Sequence, residues 1–183
     1  MKKLTIFILI ILSSSIYAQQ TIYDGRTKLT ILSDKVAEFT SQRGVFTRTV
    51  SSMDGSAIIT YSTPLMKVWK VKNIHIKRSL QYGVLPQKFK KNFSPILRDG
   101  SGVIRALPGN VIIFMNQSWS KEKVYAWAKQ EGLTIISQLS TSQNIYIVES
   151  PIGLQSLYLA IKLREKTGVI KAIPNWWRKG FRR

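Results

Sequence analysis

The sequence predicts an α+β protein in which a β-rich unit, residues 19–93, leads through a connector with a hairpin strand, residues 94–108, into a split β-α-β-β-α-β domain, residues 109–175. Three observations carry this. After Gly109, apolar runs of strand length alternate with two stretches of helical periodicity. Gly, Pro, Asn and Ser punctuate those runs where turns are needed. Before Gly109, β-branched and aromatic stretches dominate.

In the amino-terminal unit, Thr27 to Leu32 and Lys35 to Phe39 read as strands. Gly44 to Val50, Ala57 to Tyr61 and Leu65 to Ile76 supply further β-prone stretches, with a turn at Met53-Asp54-Gly55. The run Gln87 to Asn92 before Pro95 reads as an exposed connector.

The second half is more regular. Val111 to Met115 is an apolar strand, followed by a helix that Ser120 can cap. Glu122 lies in that helix's positive first turn, Val124, Trp127 and Ala128 form its buried face, and Gly132 ends it. Leu133 to Leu139 is the next strand. Asn144 to Glu149 follows, with Ile145 and Ile147 facing one way and Tyr146 and Val148 the other. A second helix covers Leu154 to Lys166, with one ridge at Leu159, Ala160 and Leu163 and a neighbouring ridge at Leu157 and Ile161, so its packed face is broad. Val169 to Ile173 closes the pattern as a ferredoxin-like arrangement, four antiparallel strands with both helices on one face. The opposite face of that sheet has no helix to cover it and calls for a partner.

Residues 1–18 have the layout of a secretory signal peptide: Lys2-Lys3, an apolar run from Leu4 to Leu12, and a small-residue end at Ala18. The expected product is exported, to periplasm or medium, with no integral membrane segment after cleavage. Zero cysteines leave no disulfide framework, and 44% hydrophobic residues provide a core instead. Loss of Lys2 and Lys3 lowers the formal charge of +19 only to +17. Such a field suits acidic protein, anionic lipid or nucleic acid alike. An internal echo spaces Asp24-Gly25, Leu32, Val36 and Phe39 from Asp99-Gly100, Leu107, Val111 and Phe114 by 75 residues, suggesting two units that each open with a hairpin.

Catalytic chemistry finds few candidates. His75 is the only histidine, and Asp24, Asp34, Asp54 and Asp99 lack the serine motif a triad needs. One histidine and no cysteine leave no metal set, no glycine-rich loop cradles phosphate, and no cofactor is expected. The chain therefore reads as a binding protein. Nucleic acid is a weak partner, because the export signal separates the two and the second domain offers no helix rich in Arg or Lys.

From Asn110 to Asn175 the chain resembles the propeptide domain of subtilisin-like serine proteases. The likeness lies in Asn110-Val111-Ile112-Ile113-Phe114, Ala128-Lys129-Gln130-Glu131-Gly132-Leu133, Asn144-Ile145-Tyr146-Ile147-Val148, Leu159-Ala160-Ile161-Lys162-Leu163, and Gly168-Val169-Ile170-Lys171-Ala172-Ile173-Pro174-Asn175. Asp24 to Phe39 and Ile96 to Pro108 also resemble extra β segments that precede such propeptides. The resemblance implies a folding chaperone and inhibitor whose sheet packs on the protease and whose final segment occupies the substrate cleft. No catalytic domain follows, so a separately encoded inhibitor or external chaperone is expected.

On that reading the tail, residues 176–183, carries the site together with Asn175. Trp176 and Trp177 brace the interface, or one of them folds back on the domain's own core. Arg178, Lys179, Gly180 and Phe181 lead to Arg182 and Arg183, which would suit a dibasic-preferring, kexin-like cleft. A solvated basic terminus is the competing reading. A cell-envelope adaptor that binds anionic lipid or polymer is the alternative function.

Overall fold

The computed structural model describes residues 21–40, 49–82, 84–85, 92–140 and 142–179. The leader expected over residues 1–18, most of the 87–92 connector and Gly180 to Arg183 lie outside the described residues.

Two antiparallel sheets form. The larger has seven strands: β1 (Thr21–Asp24), β2 (Thr27–Phe39), β3 (Ile58–Ser62), β4 (Met66–Lys70), β5 (Phe93–Asp99), β6 (Ile104–Ala106) and β11 (Trp177–Arg178), in the order β11-β6-β5-β2-β4-β3 with β1 also paired to β2. The smaller contains β7 (Val111–Met115), β8 (Ile135–Ser140), β9 (Ile145–Val148) and β10 (Val169–Pro174), in the order β10-β7-β9-β8. Four helices accompany them among the described residues: α1 (Thr49–Met53), α2 (Ile74–Gln81), α3 (Lys121–Gln130) and α4 (Leu154–Leu163).

The larger sheet is curled, and β2 shows why. The two strands expected at Thr27–Leu32 and Lys35–Phe39 are one strand of 13 residues. Its register against β5 shifts between Leu32 and Val36, so residues 33–35 have no opposite number. Such a bulge bends and twists the strand. The amino-terminal half of β2 pairs with β1 and the other half with β4. Pro95 sits at the shift, where its missing N–H costs least, and Ser94 Oγ bridges to the Leu107 N–H at 3.0 Å. The curl brings the edge strands β3 and β11 together: the Tyr61 and Trp177 rings are 5.5 Å apart at 56°.

Apolar residues pack on both faces of this sheet. On one side, Leu32, Phe39, Met66, Val68, Ile96 and Ala106 form a cluster completed by Tyr61, Ile104 and Trp177. Elsewhere Val36, Val71 and Phe93 meet Val50 of α1 and Ile76 and Leu80 of α2. Ile22, Leu29, Ile31, Leu97 and Leu107 meet Leu157 of α4, with Leu154, Ile161 and Trp176 around them.

α4 explains how the two sheets are joined. Its Leu154, Leu157 and Ile161 lie along one face and reach the larger sheet, whereas Leu159, Ala160 and Leu163 face the smaller one. The broad apolar face read from the sequence is thus two faces serving two sheets. α3 adds Val124, Trp127 and Ala128 to the smaller sheet's cluster, alongside Val111, Ile113, Met115, Tyr146, Val148 and Ala172. Its Ser120 accepts the Lys123 N–H at 3.3 Å, as the capping pattern predicts. Gly168 turns the chain into β10 with φ +87°, where a Cβ would stand 2.2 Å from the Trp119 ring, so no other residue fits.

The fold class is therefore a correction to the sequence expectation. The chain is not a ferredoxin-like split β-α-β-β-α-β domain with a separate β-rich unit ahead of it. It is a two-sheet architecture of seven and four strands, sharing α4 and tied by β11, which leaves the carboxyl-terminal segment to pair with β6. Local corrections follow. Thr49–Met53, at the end of one expected strand, is helical. Leu65 to Ile76 divides into β4 and the start of α2, because Asn73 accepts the His75 and Ile76 N–H groups as a helix cap and Ile76 and Leu80, one turn apart, are buried.

Candidate functional site

The smaller sheet has two unlike faces. Alternation along β7 sends Val111, Ile113 and Met115 under α3 and α4, and sends Ile112 and Phe114 to the other side. Register extends that outer face across three strands: Ile173, Ile112 and Ile147 form one row, and Lys171, Phe114 and Ile145 the next. Ile112, Phe114, Ile147 and Ile173 are half-buried, Ile145 is 9% exposed, and no described helix covers them. Their partial burial comes from cross-strand neighbours. On the β8 side the rows end in Ser137 and Ser140.

Both edges of this sheet carry bulges that project apolar residues. In β8, register shifts at 135/137 and 138/140 leave Ile136 and Leu139 unmatched, 52% and 54% exposed. In β10, the shift at 169/171 leaves Ile170 unmatched and 70% exposed. The Lys171 ammonium lies 5.4 Å from the centre of the Phe114 ring. The arrangement offers apolar area, a cation at its margin and no titratable group at its centre, which suits docking rather than bond-making.

The carboxyl-terminal residues are largely built into the molecule. The Asn175 N–H donates to the Asn110 carbonyl at 3.2 Å. Trp176 Nε1 donates to Asp24 Oδ2 at 3.2 Å, while Arg164 pairs with the other oxygen of Asp24. The Arg105 guanidinium is 5.7 Å from the centre of the Trp176 ring and is itself paired with Asp99. Trp176 thus links the two echoed Asp-Gly hairpins, a connection that neither hairpin's sequence announces. Trp177 pairs with Ala106 and Arg178 with Arg105 in the β-ladder, and the Lys179 N–H donates to the Ile104 carbonyl at 3.0 Å. Both tryptophans fold back on the chain. Of the residues expected to engage a partner, Gly180, Phe181, Arg182 and Arg183 lie outside the described residues.

The buried carboxylates are structural. Asp54 loses solvation on burial, which raises its pKa, but the Ser56 hydroxyl and the Asn73, Lys72 and Ser56 N–H groups outweigh this and hold it at about 2. It anchors the approach to α2. Asp99 is held well below the ordinary carboxylate range, first by the Ser101 hydroxyl and then by Arg105, and it shapes the β5-β6 turn. His75 is exposed on α2. Among the described residues, no three His, Asp or Glu side chains gather as a metal set, and no helix is long and apolar enough to cross a membrane.

Sequence reasoning missed two pieces. The first is the Asp24, Arg164, Trp176 linkage, whose only signal is a polar pair awaiting a distant partner. The second is an apolar cavity at the end of the curled sheet, bounded in part by Trp177. No family model, curated protein or solved structure matches this chain.

Proposed function

We propose that this chain is a non-catalytic exported binding protein that engages its partner through the outer face of the smaller sheet, and that the partner is a subtilisin-like serine protease which it chaperones or inhibits. The observation that supports docking is the pair of adjoining rows that hold Ile112, Phe114, Ile145, Ile147 and Ile173, which no helix among the described residues covers. The choice of protease rests on the resemblance of residues 110–175 to propeptides.

The placement of the tail changes the proposed division of labour. Trp176 to Lys179 are occupied within the molecule, so any insertion into a substrate cleft falls to Gly180 to Arg183, which span at most about 14 Å. The sheet face then supplies most of the binding and the final residues only a local block. The high positive charge favours an acidic protease surface and speeds encounter.

The test uses a subtilisin-like protease produced without its own propeptide. Mature protein is added, and refolding yield and inhibition are measured beside the variant Phe114→Glu/Ile147→Lys. Loss of both effects in a variant with an unchanged circular dichroism spectrum supports the reading. Absence of any effect by the unaltered protein removes the protease. Salt-sensitive binding to anionic vesicles that the double variant retains would favour the envelope-adaptor alternative.

A further inference from the structure

The cavity at the end of the curled sheet has about 540 Å³ of space. Phe39 and Met66, opposite one another on β2 and β4, form its floor. Pro64 and Leu65 of the β3-β4 turn, Pro108 and Trp177 form its sides. Among the described residues one hydroxyl lines it, and that hydroxyl is committed: Thr63 Oγ1 donates to the Met66 carbonyl at 3.2 Å and accepts the Leu65 and Met66 N–H groups. A polar ligand would therefore lose its water and find nothing to replace it. A hydrocarbon group loses nothing.

Size narrows the class. At about 30 Å³ per water-sized group the space holds roughly eighteen methylenes, too many for one amino-acid side chain. Charge narrows it further. Lys179, two residues after Trp177, is exposed, and its ammonium lies 5.7 Å from the ring of Tyr61, the residue stacked on Trp177. An anionic head at the rim meets this cation, in a protein whose formal charge is +19. The mouth of a curled sheet is also a usual position for such a site.

We infer that this cavity seats the chain of a single-chain anionic amphiphile, a long-chain carboxylate, with its head against Lys179. The site is separate from the proposed docking face, and the two readings stand or fall independently.

The full-length protein is titrated with octanoate, decanoate and laurate below their micelle concentrations, following tryptophan fluorescence. Trp177→Phe identifies the reporting residue. Saturable binding that tightens about fourfold per added methylene is expected. Leu65→Glu changes a side chain that is 73% exposed, leaves the fold intact, and weakens laurate at least tenfold. Lys179→Glu weakens laurate several-fold and leaves dodecanol unchanged. Three outcomes overturn the inference: no chain-length dependence, equal laurate affinity in Leu65→Glu, or loss of binding in Phe114→Glu, which would move the ligand to the other sheet.

Discussion

The two sheets differ in how their central strands are covered. β7 is a continuous apolar run, of the kind expected when a strand is covered on both faces, whereas β2 mixes its apolar residues with Thr27, Lys28, Thr30, Ser33, Asp34, Lys35 and Glu38. β2 obtains that cover: Leu29 and Ile31 face α4, Val36 faces α1 and α2, and Leu32 and Phe39 face the curl. β7 obtains half of it, since both helices that reach its sheet among the described residues lie on one side. Composition sets how much apolar surface a strand presents, and topology sets how much of it is covered. An apolar strand with one bare face is where a binding function finds room.

The largest effect that tests this contrast is expected from shortening the chain to end at Asn175. The smaller sheet keeps all four strands, whereas the larger loses β11, Trp176 and Trp177 and with them the seam to Tyr61. A cost of about 3–5 kcal/mol is expected from removal of two packed tryptophans, read by denaturant unfolding. Ending at Lys179 instead should cost little. Equal stability of all three forms would show that the seam holds nothing.

Next comes a pair of substitutions one residue apart. Ile113→Ala opens a cavity under α3 and α4 and should cost about 2–5 kcal/mol. Ile112→Ala, on the outer face, should cost about 1 kcal/mol or less. The ratio measures the bareness of the face directly. Similar costs would mean that something covers Ile112 in solution.

This asymmetry was only partly legible from the residues. The α3 cap at Ser120 and its face at Val124, Trp127 and Ala128 are set by neighbours within two turns, so periodicity found them. The two ridges of α4 were visible as well, yet a helix does not reveal that its ridges meet different sheets. α2 was hidden because Ile74 and Ile76 alternate like a strand, although Asn73 was a usable signal. Periodicity marked Ile112, Phe114, Ile145 and Ile147 as sheet residues but did not assign each to the helix side or the open side. The inward placement of Trp176 and Trp177 was not readable, because their partners Asp24, Tyr61 and Arg105 are distant in sequence and aromatic residues suit an interface equally well.

Acid should weaken the larger sheet and its helices through Asp54. The folded-state pKa is depressed, so the stabilisation is fully present above the unfolded value near 4 and is lost as pH falls towards about 2. Up to about 2 kcal/mol is at stake. Asp99, also depressed, adds to the slope in the same direction. Urea unfolding at several pH values should show stability falling across this window, and Asp54→Asn should flatten the fall while lowering stability at pH 7. A slope unchanged by that substitution would assign the acid sensitivity elsewhere.

The smallest effect concerns the bulged edges of the smaller sheet. Ile136, Leu139 and Ile170 sit outside the regular pairing and are at least half exposed, so they contribute little to the core. Leu139→Lys and Ile170→Lys should each change stability by less than about 0.5 kcal/mol. Their value lies in what else they change. An edge with projecting apolar residues invites pairing between copies, and an added lysine opposes it. If these residues merely form a sticky margin, the substitutions raise solubility and leave partner binding intact. If the docking surface extends past the rows of Ile112 and Phe114 onto the edges, they weaken partner binding without unfolding the chain, and the site is wider than the flat face alone.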